Sequence, residues 1–417
     1  MAEIRIIGGR PLRGSVEISG AKNAALPILA AALLAADGES KLLSVPRLND
    51  VTVMLQLLRT LGLTIETDSE GAIYISAGEL RSCEAPYSLV SKMRASALIM
   101  GPLLARMGRA RISLPGGCAI GTRPIDLHLK GFAALGADIT LGHGCIELSC
   151  RELRGTKIYL DYPSVGATEN ILTAAVLAKG STILENAATE PEVVDLAIYL
   201  SKMGAQISGA GTARVEVDGV PSLRGAEHRI IPDRIEAGTY LVAALLAQGT
   251  VTLQHVESRH LTPVLYKLHE AGVNVQEGEQ SLTVHSPRWI KPIDIQTLPH
   301  PGFPTDMQPQ FMALLTQAMG TSILTETVFE NRLMHVPELC RMGANIKARG
   351  RQAIVYGPTQ LTGARVAASD LRAGAALVLA GLAAQGETVV TAAEHIDRGY
   401  VGLVEKLRSL GADIARS

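Results

Sequence analysis

Ile4-Arg-Ile-Ile-Gly-Gly-Arg-Pro-Leu-Arg-Gly-Ser-Val-Glu-Ile-Ser19 returns, lightly varied, as Ile146-Glu-Leu-Ser-Cys-Arg-Glu-Leu-Arg-Gly-Thr-Lys-Ile-Tyr-Leu160 in the interior of the chain. The interior copy is the closing part of a repeating unit. The last unit stops at Ser417, after the first strand of its hairpin. Residues 1 to about 21 are therefore expected to complete the sixth unit and tie both termini into one domain.

Two marker series set the number of units. Leu61-Gly62, Leu135-Gly136, Met203-Gly204, Ala271-Gly272, Met342-Gly343 and Leu410-Gly411 place glycines 74, 68, 68, 71 and 68 residues apart. Gly38, Gly108, Gly180, Gly249, Gly320 and Gly386, each read as the left-handed residue closing an Ala/Leu-rich helix, are spaced by 70, 72, 69, 71 and 66. Two markers sharing one period define six copies. Each copy reads as an Ala/Leu helix (170–179 or 373–385), a strand (181–185) and an amphipathic helix (191–203). A hairpin follows, as in Asp138-Ile-Thr-Leu141, turn Gly142-His-Gly144, Cys145-Ile-Glu-Leu-Ser149, and an extended stretch leads to the next helix. Such a unit is too large for a thin solenoid. The expected fold is α/β, with two globular domains of three repeats, 22–230 and 1–21 plus 231–417, facing each other across a cleft.

Composition narrows the function classes. Hydrophobic residues are 47% of the 417 but aromatic ones only 3%, so the cores are built from Ala, Leu, Ile and Val. The formal net charge of -1 argues against nucleic acid as a partner and makes any anion site local. Five cysteines (Cys83, Cys118, Cys145, Cys150, Cys340) without a CxxC indicate neither a disulfide framework nor a zinc site, and fit a reducing cytoplasm. The N-terminus lacks the basic lead of a signal peptide, and the longest apolar run, residues 24–36, is short and broken by Pro27, so no membrane insertion is expected.

The strand-to-helix junction recurs six times, as Gly20-Ala-Lys22-Asn23, Lys92-Met-Arg94-Ala-Ser96, Pro163-Ser164-Val-Gly166, Pro232-Asp233-Arg234, Pro304-Thr-Asp306 and Ser369-Asp370-Leu-Arg372. Asn23, Ser164, Asp233, Asp306 and Ser369 are all suitable N-caps. The cations Lys22, Arg94, Arg234 and Arg372 stand where the helix dipole disfavours positive charge, so an anion is expected beside them. Arginines recur at the second-helix junctions, in Arg123-Pro124, Arg259-His260, Asn331-Arg332 and Asp397-Arg398, which favours a shared anion site in the cleft. Asp306, near several arginines, is read as a base, a hydroxyl-binding carboxylate or a cap. His128 and His335 are read as packing or hydrogen-bonding histidines, because no second metal ligand has suitable spacing.

Leu114-Pro-Gly-Gly-Cys118-Ala-Ile-Gly-Thr-Arg123-Pro124 is the stretch most committed to chemistry. Its glycines and prolines make an adaptable loop, holding a thiol five residues from an arginine. Cys118 is read as a catalytic residue acting on an anion gripped partly by Arg123.

That loop, with Gly20-Ala-Lys22-Asn23-Ala, Phe303-Pro-Thr-Asp306-Met-Gln, Glu330-Asn-Arg332-Leu-Met-His335, Asp370-Leu-Arg372-Ala and His395-Ile-Asp-Arg398-Gly-Tyr400, resembles the UDP-N-acetylglucosamine 1-carboxyvinyltransferase family of enolpyruvyl transferases over the whole chain. The resemblance implies two inside-out α/β domains of three repeats each. It also implies transfer of the enolpyruvyl group of phosphoenolpyruvate to the 3′-hydroxyl of UDP-N-acetylglucosamine, with release of phosphate, as the first committed step of peptidoglycan precursor synthesis. Carried onto this chain, it makes Cys118 the general acid, able to form a phosphoenolpyruvate adduct and open to fosfomycin. Asp306 becomes the candidate base, with Lys22 and Arg398 also catalytic. Lys22, Asn23, Arg123, Arg332, Asp370, Arg372 and Arg398 match positions around phosphoenolpyruvate. Asn23, Arg94, Arg123, Pro124, Ile125, Asp126, Leu127, Tyr162, Pro163, Ser164, Val165, Asp306 and Val328 match positions contacting the nucleotide sugar. The resemblance calls for no metal or organic cofactor. The partners expected are the two small-molecule substrates, with no nucleic acid, and the chain is expected to be a cytoplasmic monomer. One departure is Leu98, where some members have tryptophan.

Three rivals differ in what they require. The sister enzyme acting on shikimate 3-phosphate shares the architecture, but the Cys118 loop argues against it. A non-catalytic repeat protein would bind the nucleotide sugar and release no phosphate. A thiol redox enzyme would need a resolving cysteine beside Cys118.

Overall fold

Strands such as Ser181–Glu185 and Arg214–Asp218 alternate in burial, so Thr182, Leu184, Val215 and Val217 face inward while their neighbours face solvent. One-sided sheets of this kind need a helical layer behind them. In a computed structural model of the chain, which describes residues 2–76, 78, 80–113, 125–142 and 144–417, six four-stranded sheets are built alike. A short edge strand lies parallel to a central strand. The central strand pairs antiparallel with the second strand of a hairpin, whose first strand forms the other edge.

Three sheets are completed by sequence-distant pieces. Ile4–Ile7 lies between Glu387–Thr391 and Asp413–Arg416, antiparallel to both. Arg13–Glu17 runs parallel to Thr250–Gln254, and Glu227–Arg229 parallel to Glu39–Leu43. The chain resolves into two compact units, one containing residues 2–19 and Pro232–Ser417, the other the described parts of 20–231.

In the first unit, helices Arg234–Leu246, Gln308–Leu315 and Leu371–Ala383 pack on one another and are buried on nearly every face, with the sheets outside them. Their Ala/Leu/Val content permits this, because small side chains let the helices approach closely while offering no polar group to desolvate. The second unit places Lys22–Ala31, Met100–Met107 and Val165–Ala175 in the corresponding role. This is the inside-out arrangement. Among the described residues no helix is long and apolar enough to cross a membrane.

The six-fold glycine marker has one structural cause. Gly62, Gly136, Gly204, Gly272, Gly343 and Gly411 all have positive φ, between 83° and 118°. In every case the glycine N–H donates three residues back and the next N–H donates five residues back, for example Gly204 to Ser201 and Ala205 to Leu200. This is a Schellman stop on the second helix of each repeat, with a buried apolar residue (Leu63, Ala137, Ala205, Val273, Ala344, Ala412) following the glycine.

The second series behaves differently from expectation. Gly108 does cap its helix in the left-handed conformation. The helices before Gly38, Gly180, Gly249, Gly320 and Gly386 end earlier, at Ala31, Ala175, Leu246, Leu315 and Ala383. Those glycines mark the turn into the following strand. The helix expected over 170–179 correspondingly runs Val165–Ala175, and that over 373–385 runs Leu371–Ala383.

Candidate active site

The inner helices of the terminus-bearing unit begin at Asp233, Asp306 and Asp370, and the three carboxylates have different partners. Asp233 accepts from Ile235 N (2.8 Å) and Glu236 N (3.0 Å), an N-cap. Asp370 likewise accepts from Arg372 N (2.9 Å) and Ala373 N (3.1 Å). Asp306 is not an N-cap residue. It sits inside the 3-10 turn Thr305–Met307, and its two oxygens accept from Arg332 Nη2 at 2.8 Å and Arg372 Nη2 at 3.0 Å.

Both arginines are buried, each 3% exposed, while the Asp306 side chain keeps 26% of its surface open. Burial alone lowers the pKa of Arg372, but the charge of Asp306, with Tyr400 and Asp233, reverses this and holds it above the ordinary arginine value. The Tyr400 ring lies 5.3 Å from the guanidinium carbon of Arg372. Its hydroxyl pairs with Thr239 Oγ1 (3.0 Å) and accepts from Gln310 Nε2 (3.1 Å). Thr239, Gln310 and Arg372 belong to the three inner helices, so this buried network fixes Arg372 against all three. His335, wholly buried beside it, is pushed down to about 4 by desolvation, against the pull of Asp370 and with a further push from Arg332, and is therefore neutral at pH 7. Arg398 is half-buried at the end of the 3-10 turn Ala393–Arg398.

In the other unit, Lys22 opens helix Lys22–Ala31, whose N-cap Ala21 has no side-chain cap bond. Its ammonium lies 3.4 Å from the buried Asp50 carboxylate. Asn23 is exposed in the same first turn. Half-buried Arg94 opens a 3-10 turn, and its charge adds to burial in driving His128 down to about 4. His128 Nδ1 lies 2.8 Å from Asn170 Nδ2, while Asn170 also bonds Ala97 O and Gly101 N. Asp126 and Leu127 form the first turn of Asp126–Ala134, with Ile125 just before it. Tyr162 is exposed, Pro163 follows it, and Ser164 caps Val165–Ala175 through Ala167 N at 3.4 Å.

The structure thus brings Asp306, Arg332 and Arg372 together, with Asp370 at the N-terminus of the Arg372 helix. Cys118, Arg123 and Pro124 lie outside the described residues. Of the five suggested caps only Ser164 and Asp233 serve as such. Asn23 is already inside its helix, and at Ser369 the capping residue is its neighbour Asp370, to which Ser369 Oγ donates at 3.2 Å. Arg259 does not join the proposed anion cluster: it is highly exposed and makes a two-point pair with Glu257 at 2.9 and 3.0 Å. Among the described residues no cluster of three or more His, Cys, Asp or Glu could hold a metal ion.

Residues 6–407 match the EPSP synthase (3-phosphoshikimate 1-carboxyvinyltransferase) family. UDP-N-acetylglucosamine 1-carboxyvinyltransferase 2 of Carboxydothermus hydrogenoformans is 60% identical, covering 100% of this chain and 99% of its own. UDP-N-acetylglucosamine 1-carboxyvinyltransferase 1 of Halalkalibacterium halodurans is 57% identical over 100% of this chain and 94% of its own length. The chain belongs to the UDP-N-acetylglucosamine 1-carboxyvinyltransferase family. Among solved structures, the enolpyruvyl transferase NikO from Streptomyces tendae superposes with a TM-score of 0.92 at 28% identity, covering 100% of this chain and 99% of that one. An EPSP synthase from Acinetobacter baumannii, at 20% identity and a TM-score of 0.78 over the full length of both chains, shares the fold.

Within this carboxyvinyltransferase, sequence reading missed the partners that hold the site residues. Asp50 beside Lys22, and Thr239 and Gln310 behind Tyr400, carry no local motif. They are polar residues in apolar helical or loop sequence, and only the fold brings them to their partners.

Proposed function

We propose that the chain transfers the enolpyruvyl group of phosphoenolpyruvate to the 3′-hydroxyl of UDP-N-acetylglucosamine, releasing phosphate, the first committed step in making peptidoglycan precursors. The observation that carries this reading is the Asp306 carboxylate held between buried Arg332 and Arg372, in a chain 57–60% identical to carboxyvinyltransferases of that specificity.

The reaction needs an acid at the alkene carbon, a base at the hydroxyl and an anion clamp. Cys118 supplies the proton to the methylene carbon of phosphoenolpyruvate, making the neighbouring carbon electrophilic. The sugar hydroxyl attacks that carbon and gives its proton to Asp306. Phosphate then leaves as the Cys118 thiolate takes a proton back from the new methyl group, which restores the alkene and the thiol. Asp306 accepts from both arginines while 26% of its side chain stays open, so a hydroxyl can approach the carboxylate from the exposed side.

Lys22, Asn23, Arg123, Arg332, Asp370, Arg372 and Arg398 hold phosphoenolpyruvate in this proposal. Asn23, Arg94, Arg123, Pro124, Ile125, Asp126, Leu127, Tyr162, Pro163, Ser164, Val165, Asp306 and Val328 hold the nucleotide sugar. Guanidinium groups suit phosphate and carboxylate oxygens because their donors form a planar fork. Cys118 is the group alkylated by fosfomycin. Work as a monomer in the cytoplasm, within two units that close on substrate, belongs to the same proposal and is checked by sedimentation and small-angle scattering. The decisive assay is phosphate release from phosphoenolpyruvate with UDP-N-acetylglucosamine against shikimate 3-phosphate. Turnover with the second acceptor alone would overturn the proposal.

A further inference from the structure

Glu326 directly follows the strand Thr321–Thr325 and is 1% exposed, yet among the described residues its carboxylate accepts only from neutral donors. Four neutral donors satisfy it. Oε1 accepts from Thr297 Oγ1 (2.9 Å), Val328 N (2.8 Å) and Phe329 N (3.1 Å), and Oε2 accepts from Thr305 Oγ1 at 2.9 Å. Burying a carboxylate without a counter-charge is costly, and only a full set of hydrogen bonds offsets it.

Two of the tethered segments lead straight to the site. Thr305 precedes Asp306, and the ring of Phe329 lies 5.9 Å from the guanidinium carbon of Arg332. One carboxylate therefore holds the Thr305 hydroxyl next to Asp306 and the backbone amides of Val328 and of Phe329, whose ring lies by Arg332. We infer that Glu326 is a positioning residue that sets the placement of Asp306 relative to Arg332 and to the Val328 backbone, and through them the acceptor substrate. It touches no reacting atom.

This rests on the enolpyruvyl transfer proposed above, and the test separates the two. In Glu326→Gln the amide oxygen can keep the 328–329 N–H groups only by turning its NH2 toward Thr305, which reverses that bond and replaces the charge-assisted bonds with weaker neutral ones. Phosphate release is measured with each substrate varied in turn, together with thermal unfolding. The expected result is a kcat reduced about 10- to 100-fold and a KM for UDP-N-acetylglucosamine raised about 10-fold, with the KM for phosphoenolpyruvate within about twofold.

Thr305→Val, which keeps the shape and deletes the hydroxyl, is expected to reproduce the kcat loss in part, and Thr305→Ser to restore it. The double variant Glu326→Gln/Thr305→Val is expected to be no worse than Glu326→Gln. Should Glu326→Gln not fold, the Val and Ser variants at 305 still decide the matter. An active wild type with unchanged kinetics in Thr305→Val, or strictly additive effects in the double variant, overturns the role of Glu326. A wild type that releases no phosphate overturns the parent proposal and this inference with it.

Discussion

Asp233 and Asp370 turn their carboxylates back onto the first amides of their own helices, whereas Asp306, at the same junction of the repeat between them, turns its carboxylate onto Arg332 and Arg372. The three carboxylates stand at the same strand-to-helix junction of successive repeats, Asp233 and Asp370 on the N-cap and Asp306 two residues past Pro304, inside a 3-10 turn. Two of the three keep the ordinary helix start, and the third forgoes a cap, normally about 1 kcal/mol, to hold an ion pair with an open edge. A repeat fold can convert one copy of a capping position into a reactive group because the other two copies keep the framework intact.

The largest effect follows from breaking that exception. Asp306→Ala is expected to lower kcat for phosphate release by about 10²- to 10⁴-fold, the range for a general base. Circular dichroism should still show a folded chain, though one of lower thermal stability, because two buried guanidiniums lose their shared counter-charge. Activity within a few-fold of wild type would mean that Asp306 is one more structural carboxylate.

A pH experiment sharpens the contrast from the other side, since Asp370 is a cap that also faces a buried histidine. His335 has a folded-state pKa of about 4 against 6.5 for the free side chain. Between those values the unfolded chain binds more protons, so the stability associated with a neutral His335 is complete above about pH 6.5 and is lost as pH falls toward 4. Urea unfolding at pH 6.5 and pH 5 should show the wild type losing about 2 kcal/mol more than His335→Gln over that interval. Equal losses would show that His335 is not held neutral. His128, also pushed to about 4, contributes in the same direction in both proteins and cancels from the difference.

Asp233→Ala tests the capping copies. It should cost about 1 kcal/mol in urea unfolding and leave kcat/KM within about threefold. Asp233 does act on the charge of Arg372 from a distance, so a kinetic loss rivalling that of Asp306→Ala would erase the distinction between the copies.

The repeat was legible in sequence because a Schellman stop admits little but glycine, and its backbone geometry leaves the same residue at the same phase six times. Gly249 and Gly320 were misplaced as helix caps because a glycine entering a strand and one leaving a helix look alike when an Ala-rich helix ends without a polar stop. The site was legible to the extent that its residues stand in local motifs, as Asp306, Arg332 and Arg372 do. Glu326, Asp50, and the Thr239 and Gln310 that hold Tyr400 were not. Their roles come from pairings across tens to hundreds of residues, and a lone Glu at a strand end or a Gln in an apolar helix has the same appearance whether or not such a partner exists.

The smallest effect concerns the junction where sequence pointed to the wrong residue. Ser369 has the chemistry of an N-cap and stands one residue before Asp370, yet Asp370 accepts from the helix amides and Ser369 only donates to that carboxylate at 3.2 Å. If capping belongs to Asp370, Ser369→Ala removes one half-exposed hydrogen bond and should shift the unfolding free energy by no more than about 0.5 kcal/mol, while Asp370→Ala should cost about 1 kcal/mol or more. Reversed magnitudes would return the cap to Ser369. Asp370 would then resemble Asp306, a carboxylate free of its own helix, and the count of capping copies in this unit would fall from two to one.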